Sequence, residues 1–155
     1  MIKIHLPVKP KAVQSTRFSK HHCYASKDVV AWKKEILFHL KSSVDWLDKP
    51  VYPTGPIGLV IEYCFALPKK PSKDQKNLIA ENLPVFKDSR PDNDNLTKGL
   101  KDCMSGIIYG DDCQVVFTVL TKVYTEKDGI NIRVISDVRQ LNALHESFYG
   151  GWDEH

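Results

Sequence analysis

The chain has 155 residues, of which 42% are hydrophobic and 26% are charged, and its formal net charge at pH 7 is +3. This length fits one domain whose core needs no disulfide or metal, and the composition excludes a disordered or fibrous chain. No apolar run approaches the ~20 residues of a membrane span, and no secretory apolar segment follows Met1, so we expect a cytoplasmic protein without a membrane partner.

The charged residues are unevenly distributed along the chain. Residues 1–49 hold ten Lys and Arg against four Asp and Glu, residues 69–90 hold six against three, and residues 91–112 hold two against five. A basic body around an acidic patch suits a protein that binds polyanions and holds a cation at one place. A solvated surface on which charges cluster by chance explains the same counts, so charge alone does not decide the function.

The cysteines form no metal or redox motif. None belongs to a C-x-x-C pair, which argues against a zinc knuckle, and we expect buried free thiols in a reducing compartment. His21-His22-Cys23 could bind a metal, but a surface loop is the favoured interpretation. The four cysteines are Cys23, Cys64, Cys103 and Cys113.

The first predicted element is a strand over residues 2–6, where apolar and polar residues alternate. A basic, irregular segment follows over residues 8–26. Its interleaved cations and aromatic rings are typical of contact with a nucleic-acid backbone, and a loop of this length is more often functional than not. The residues that we expect to bind DNA here are Lys9, Lys11, Arg17 and Lys20.

A helix is predicted from residue 26 or 27 to about residue 43. The mostly apolar residues 57–67 follow a connection rich in Pro and Gly, and they predict a central strand. Ser72 is a suitable N-cap for a short helix over residues 74–82. The apolar side of the first helix is expected to contain Val29, Trp32, Ile36, Phe38 and Leu40.

The remaining predicted elements are a helix over about residues 95–105 and strands over residues 114–124 and 130–135. Asp128-Gly129 between these strands is typical of a hairpin turn. The order βαβ(α)αββ indicates one small domain over residues 1–136, of α/β (α+β) class with a mixed sheet packed against helices. From residue 137 to 155 we expect a C-terminal tail that is at most weakly helical and mobile at its end.

The decisive stretch is Arg-Pro-Asp-Asn-Asp-Asn-Leu-Thr-Lys at residues 90–98. Pro91 disfavours helix at Arg90, so the chain enters extended, and residues two apart in an extended chain point to the same side, which lets Asp92 and Asp94 converge. We place Asp94 at the N-cap of the next helix. Asp94, Lys98 and Asp102 then line one exposed face, with Asp102 open to interpretation as a plain solvated residue.

A second acidic pair, Asp111-Asp112, lies in a turn before the next strand and can return a carboxylate towards the first pair. Converging carboxylates repel one another, and Mg²⁺, which prefers oxygen ligands, would offset that repulsion. Such a site activates water and stabilises charge on a phosphate, which Lys98 could also contact. Taken singly, each acidic pair is equally typical of a helix cap or a turn, where Asp is common.

Together, Asp92-x-Asp94-Asn95-Leu96-x-Lys98, Asp102 and Asp111-Asp112-x-Gln114 resemble the signature of the RusA-like Holliday junction resolvases. The resemblance covers nearly all of residues 1–136. It implies a RusA-like fold and a homodimeric endonuclease that depends on Mg²⁺, with Mn²⁺ as the alternative, and that uses no small-molecule cofactor. Members are common in phages and prophages, and they nick four-way DNA junctions symmetrically in recombination and repair.

The resemblance also assigns roles by position. It implies that Asp92, Asp94 and Asp112 are catalytic carboxylates that bind the metal, that Asp111 is a further metal candidate with a less defined role, and that Lys98 is catalytic. A basic residue often stands directly before the first Asp in the family; here Arg90, our further DNA-binding candidate, stands one place earlier.

Two other functions fit the same sequence. A branched-DNA-binding protein with little or no nuclease activity would share the basic surface, yet it would not need three carboxylates and a lysine, which favours the enzyme. A nuclease that prefers flaps or replication forks would need the same residues. Phe117 and Trp152 are among the candidates for a dimer interface, and the sequence does not choose between them.

Overall fold

The computed structural model describes residues 1–13, 17, 18, 23, 24 and 26–151. Among the described helices, none is long and apolar enough to cross a membrane. The helices are α1 (Lys27–Ser43), α2 (Lys73–Ala80), α3 (Asn93–Met104) and α4 (Val138–Tyr149). The strands are β1 (Ile2–Leu6), β2 (Arg17–Phe18), β3 (Cys23–Tyr24), β4 (Ile57–Ala66), β5 (Val85–Phe86), β6 (Val115–Thr125) and β7 (Gly129–Ile135).

Five strands form one mixed sheet in the order β1-β7-β4-β6-β5, and β2 and β3 form a separate two-stranded ladder. β4 runs parallel to β6, whereas the other neighbours in the large sheet are antiparallel. Parallel strands need a long crossover, and the crossover from β4 to β6 contains α2, β5 and α3. The predicted mixed sheet with helices in one small domain is confirmed.

The core lies between one face of the sheet and helices α1 and α3. Alternate residues of β1, β4 and β7 are buried on this face, which is the pattern of strands with one face against helices. The helices contribute the apolar residues Trp32, Ile36 and Leu40 from α1 and Leu96, Leu100 and Met104 from α3. The predicted central position of β4 is therefore confirmed, because β4 pairs with a strand on each side.

The predicted hairpin at Asp128-Gly129 is wrong, because β4 lies between β6 and β7. The connection crosses the end of β4 instead. The Asp128 carboxylate accepts a hydrogen bond of 2.8 Å from the Ala66 N–H, and the Leu67 N–H donates to the Thr125 carbonyl at 2.9 Å. Asp128 thus binds the end of the central strand. An Asp-Gly pair in the sequence fits this role as well as it fits a tight hairpin turn.

Two local predictions also fail. Residues 138–149 form α4 rather than a weakly helical tail: Asp137 caps the helix by accepting from the Arg139 N–H at 2.8 Å, and Leu141 is buried. Phe38, placed on the buried side of α1, is 67% exposed. Mobility at the end of the tail stays a prediction, and residues 152–155 lie outside the described residues.

The cysteines are only partly as predicted. Cys64 and Cys103 are buried free thiols, whereas Cys113 is exposed. Burial raises the pKa of Cys64 and of Cys103 to about 11, so both thiols are protonated at neutral pH. His21, His22 and the side chain of Cys23 lie outside the described residues.

Candidate active site

The acidic motif forms the start of α3, two residues earlier than the sequence predicts. Asp92, not Asp94, is the N-cap residue: its backbone is extended, with φ −70° and ψ 148°, and its side chain makes no capping hydrogen bond. Asp94 lies in the first helical turn. Both residues are exposed, so the Asp92 carboxylate is available to a ligand, and the helix N-terminus favours negative charge nearby.

The buried side of α3 fixes which way its polar side points. The Thr97 hydroxyl and the Tyr63 hydroxyl of β4 are 2.8 Å apart in a buried hydrogen bond. The Val13 N–H donates to the Asn95 carbonyl at 3.1 Å, which ties the N-terminal segment to the same helix. Lys98 is exposed on the opposite side, one turn after Asp94.

Gly99 allows the N-terminal segment and α1 to approach α3 closely. A Cβ at this position would lie 2.3 Å from Val13 Cγ2 and 3.3 Å from Trp32 Cζ3. The Trp32 indole N–H in turn donates to the Lys9 carbonyl at 2.9 Å. The start of the basic segment is therefore packed against the helix that carries the acidic motif.

The turn that enters the motif is held by two lysines that the sequence analysis missed. The Lys122 ammonium of β6 donates to the Ser89 carbonyl at 2.8 Å and to the Pro91 carbonyl at 2.9 Å. The Lys87 ammonium donates to the Ser89 hydroxyl at 2.7 Å. A lysine inside a strand gives no signal in the sequence that its partners are backbone carbonyls about thirty residues earlier.

Asp111 and Asp112 have different roles in the second acidic turn. The Asp111 carboxylate accepts from the Cys113 N–H at 2.8 Å and caps the 3₁₀ turn Asp112–Gln114. This backbone hydrogen bond from Cys113 holds the pKa of Asp111 below its usual value. Asp112 is exposed beside it. Asp111 is thus engaged in the turn, which leaves Asp112 as the better ligand candidate of the pair.

Gln114 fixes this turn against the loop before β4. Its side-chain oxygen accepts from the N–H groups of Gly110 and Asp111 at 2.7 and 2.9 Å. Its amide group donates to the carbonyls of Tyr52 and Gly55 at 3.2 and 3.0 Å. Asp-x-x-Gln is the spacing of a capping box, so the sequence did contain a signal for the structural role of Asp111.

Tyr109 connects the second acidic turn to α3. The ring is fully buried, and its hydroxyl donates to the Lys101 carbonyl at 3.3 Å. The pKa of Tyr109 is raised well above its ordinary value, first by burial and then by the negative charge of Asp112. Asp112 therefore lies beside the second half of α3.

The acidic side chains are not gathered into a metal cluster. Within the described ranges, no three His, Cys, Asp or Glu side chains are grouped closely enough to hold a metal ion, so the three-carboxylate site stays a prediction. The donor chemistry nevertheless fits a hard cation: two exposed carboxylates flank Asn93, whose side-chain oxygen is buried without a hydrogen-bond partner. Oxygen donors of this kind are those that Mg²⁺ prefers.

Asp102 belongs to a different contact. Its carboxylate accepts from the Lys33 ammonium of α1 at 3.2 Å. The pair links α1 to α3 on the exposed side of the helix, and it explains Asp102 without a metal.

The structure describes only some of the predicted DNA-binding side chains. Lys9 and Arg90 are exposed, and Arg90 precedes the cis peptide bond to Pro91 at the entrance to the acidic motif. The Lys11 ammonium lies 4.0 Å from the Asp28 carboxylate, and its side chain is 38% exposed. The Arg17 side chain and Lys20 lie outside the described residues, so DNA binding by these residues stays a prediction.

Comparison with known proteins gives one family. Residues 7–135 match the family described as Endodeoxyribonuclease RusA. The chain is 33% identical over 82 residues to "Uncharacterized protein YqaN" of Bacillus subtilis (strain 168), covering 52% of this chain and 58% of that protein. It is 46% identical over 50 residues to "Crossover junction endodeoxyribonuclease rusA" of Lactococcus phage r1t, covering 32% of this chain and 38% of that protein. The chain thus spans little more than half of the first relative and less than two fifths of the second.

Proposed function

Because this chain belongs to the RusA endodeoxyribonuclease family, we propose that it is a metal-dependent nuclease that resolves four-way DNA junctions by symmetric phosphodiester hydrolysis. The proposal includes Mg²⁺ as the metal, with Mn²⁺ as the alternative, and a homodimer acting in DNA recombination and repair in the cytoplasm. The relative from Lactococcus phage r1t is named a crossover junction endodeoxyribonuclease, which supports the same substrate.

One observation carries the catalytic part of the proposal. The Asp92 carboxylate stands at the N-terminus of α3 without the capping bond that an Asp in this position usually makes. An uncommitted carboxylate next to Asp94 and the orphaned Asn93 oxygen is better explained by a cation ligand than by a structural cap. By contrast, Asp111 makes its capping bond, and for that reason we assign the ligand role to Asp112.

Asp92, Asp94 and Asp112 would hold the metal, which would lower the pKa of a water molecule and offset negative charge on the phosphate. The residues of the chain then orient the substrate. Lys98, exposed one turn after Asp94, would donate to a phosphate oxygen and stabilise the charge that develops during hydrolysis. The positive end of α3 favours the phosphate in the same position.

The basic segment and the dimer account for the branched substrate. Lys9, Lys11 and Arg90, together with Arg17 and Lys20, would bind phosphates on either side of the cut, so junction binding should weaken steeply with salt. Two nicks related by near two-fold symmetry need two sites in the same relation, and a two-fold symmetric dimer supplies them.

The test is cleavage of a four-way junction labelled on each strand in turn, beside linear duplex and flap substrates, in Mg²⁺, Mn²⁺ or EDTA. We expect paired nicks on the junction that disappear in EDTA and fall at least 100-fold in Asp92→Asn. Asp74→Asn, which makes the same change at an exposed acid in the first turn of α2, should cut normally. Sedimentation should give the mass of a dimer.

Other outcomes separate the competing functions. Tight junction binding without cutting in either metal would contradict the nuclease and leave a branched-DNA-binding protein. Preferential cutting of the flap would keep the nuclease and replace the substrate. A monomer that nicks one strand at a time would contradict the symmetric mechanism.

A further inference from the structure

We propose that Lys122 is a positioning residue for the active site, which holds the backbone before Asp92 so that this carboxylate meets the metal. The inference rests on the proposed function and adds a residue that lies in a different element, on β6. Its ammonium donates to the Ser89 carbonyl at 2.8 Å and to the Pro91 carbonyl at 2.9 Å. Pro91 directly precedes Asp92.

The segment that Lys122 holds is also tied to β6 at its start, where the Lys87 N–H donates to the Lys122 carbonyl at 2.9 Å. Residues 87–92 belong to no helix or strand. Their lysine bonds are charge-assisted, and such bonds are roughly twice as strong as bonds between neutral groups. Lys122 is only partly exposed, which reduces competition from water. The conformation of the backbone at Asp92 therefore depends on a side chain from the sheet.

The sheet places this lysine with precision. Lys122 of β6 is the register partner of Tyr63 of β4, and Tyr63 holds Thr97 in the second turn of α3. Two neighbouring positions on one face of the sheet thus fix two points of the motif: Tyr63 fixes the helix, and Lys122 fixes the turn that enters it. Lys87 adds a bond to the Ser89 hydroxyl.

The contacts favour positioning over direct contact with DNA. At least two of the three ammonium hydrogens of Lys122 are used by backbone carbonyls. In the described part of the chain, Lys122 has no carboxylate within salt-bridge distance, so its charge serves the turn rather than an ion pair. A phosphate-binding lysine would instead extend into solvent, as the exposed Lys98 does.

The experiment compares wild type with Lys122→Met, Lys122→Gln and Lys122→Arg, and with Lys127→Met as a control. Lys127 is exposed in the connection after β6, so its replacement removes the same charge without touching the turn. Three quantities are measured: the dissociation constant of Mn²⁺ alone by titration calorimetry, the Mg²⁺ concentration that gives half-maximal junction cleavage, and junction affinity in EDTA at several salt concentrations. Thermal unfolding reports the folded fraction of each variant.

Loss of a residue that orients a metal ligand typically costs 10–100-fold in metal affinity or activity. We expect Lys122→Met and Lys122→Gln to raise the Mn²⁺ dissociation constant and the Mg²⁺ midpoint by about 10–100-fold, with partial recovery of cleavage at high Mg²⁺. Junction affinity in EDTA should stay within about twofold of wild type. Lys122→Arg should recover most of the metal affinity, since its side chain can also donate to two carbonyls.

Three results would overturn the inference. Unchanged metal affinity and midpoint in the folded Met and Gln variants would show that the turn does not need Lys122. Weaker junction binding in EDTA with a shallower salt dependence would identify a phosphate contact instead. If the Met and Gln variants both fail to fold, the Arg variant decides, because positioning requires metal affinity and activity to change together. A folded Arg variant with wild-type activity but about tenfold weaker metal binding, or with wild-type metal binding but about tenfold lower activity, is inconsistent with positioning. Wild-type protein that neither cuts nor binds metal would instead refute the proposed function.

Discussion

Replacing Gly99 with alanine is expected to destabilise this protein, although alanine is the better helix former. In an exposed helix the change would gain about 1 kcal/mol. Here the new Cβ would lie 2.3 Å from Val13 Cγ2 and 3.0 Å from Val13 Cβ, so a rotamer change of Val13 alone does not make room. Overpacking of this kind costs about 1–3 kcal/mol, and the net expectation is a loss of about 1 kcal/mol.

The assay is urea unfolding of Gly99→Ala, Val13→Ala and the double variant, followed by circular dichroism. Truncating Val13 removes the Cγ2 contact and leaves the Val13 Cβ at 3.0 Å and Trp32 at 3.3 Å, so Gly99→Ala should cost much less in that background than in wild type. The cycle should give a coupling energy of at least about 1 kcal/mol. Gly99→Ala that stabilises both backgrounds equally would refute the packing of Val13 against α3.

Three further predictions concern the supports of the site. Tyr63→Phe should cost about 1–3 kcal/mol in urea unfolding because it leaves the Thr97 hydroxyl unpaired in the core, and Tyr63→Phe with Thr97→Val should recover part of this loss. Asp111→Asn should lower the melting temperature with cleavage largely kept, whereas Asp112→Asn should abolish cleavage with the melting temperature kept; the reverse assignment would contradict the division of roles. The pKa of Asp111 is lowered in the fold, so its contribution to stability is present above the ordinary pKa of 3.8 and is lost as pH falls through the folded pKa. The melting temperature of Asp111→Asn should therefore fall less on acidification than that of wild type.

Helices α1, α2 and α3 could be predicted from sequence because their signals are local. Ser26 and Ser72 accept capping bonds from N–H groups three residues later, and apolar periodicity marks the buried side of α3. The acidic motif was found for the same reason, since its members lie close together in sequence. The N-cap of α3 was predicted at Asp94 instead of Asp92, because both are good cap residues. Only the extended backbone of Asp92 decides between them.

Strand partners and long-range supports could not be predicted in this way. An Asp-Gly turn suits a hairpin, but the Asp128 carboxylate binds the end of β4, and β4 is hydrophobic along nearly its whole length and therefore takes the central place. The contacts of Lys122 with the Ser89 and Pro91 carbonyls depend on the register of β6 beside β4, which no local pattern contains. Cys113 is expected to be buried because cysteine usually is, but it lies in a solvent-exposed 3₁₀ turn in the fold.

The parallel pairing of β4 with β6 has a consequence for the order of events during folding. Every residue of the proposed catalytic set lies in the crossover between these two strands, so the set cannot be assembled from a folded N-terminal half. β4 can pair with β6 and β7 only after those strands are available, and they follow it by about fifty residues or more. Contacts between residues of such sequence separation form slowly. Catalytic competence and a complete sheet should therefore arise in the same kinetic phase, and a partly folded chain should not cut DNA.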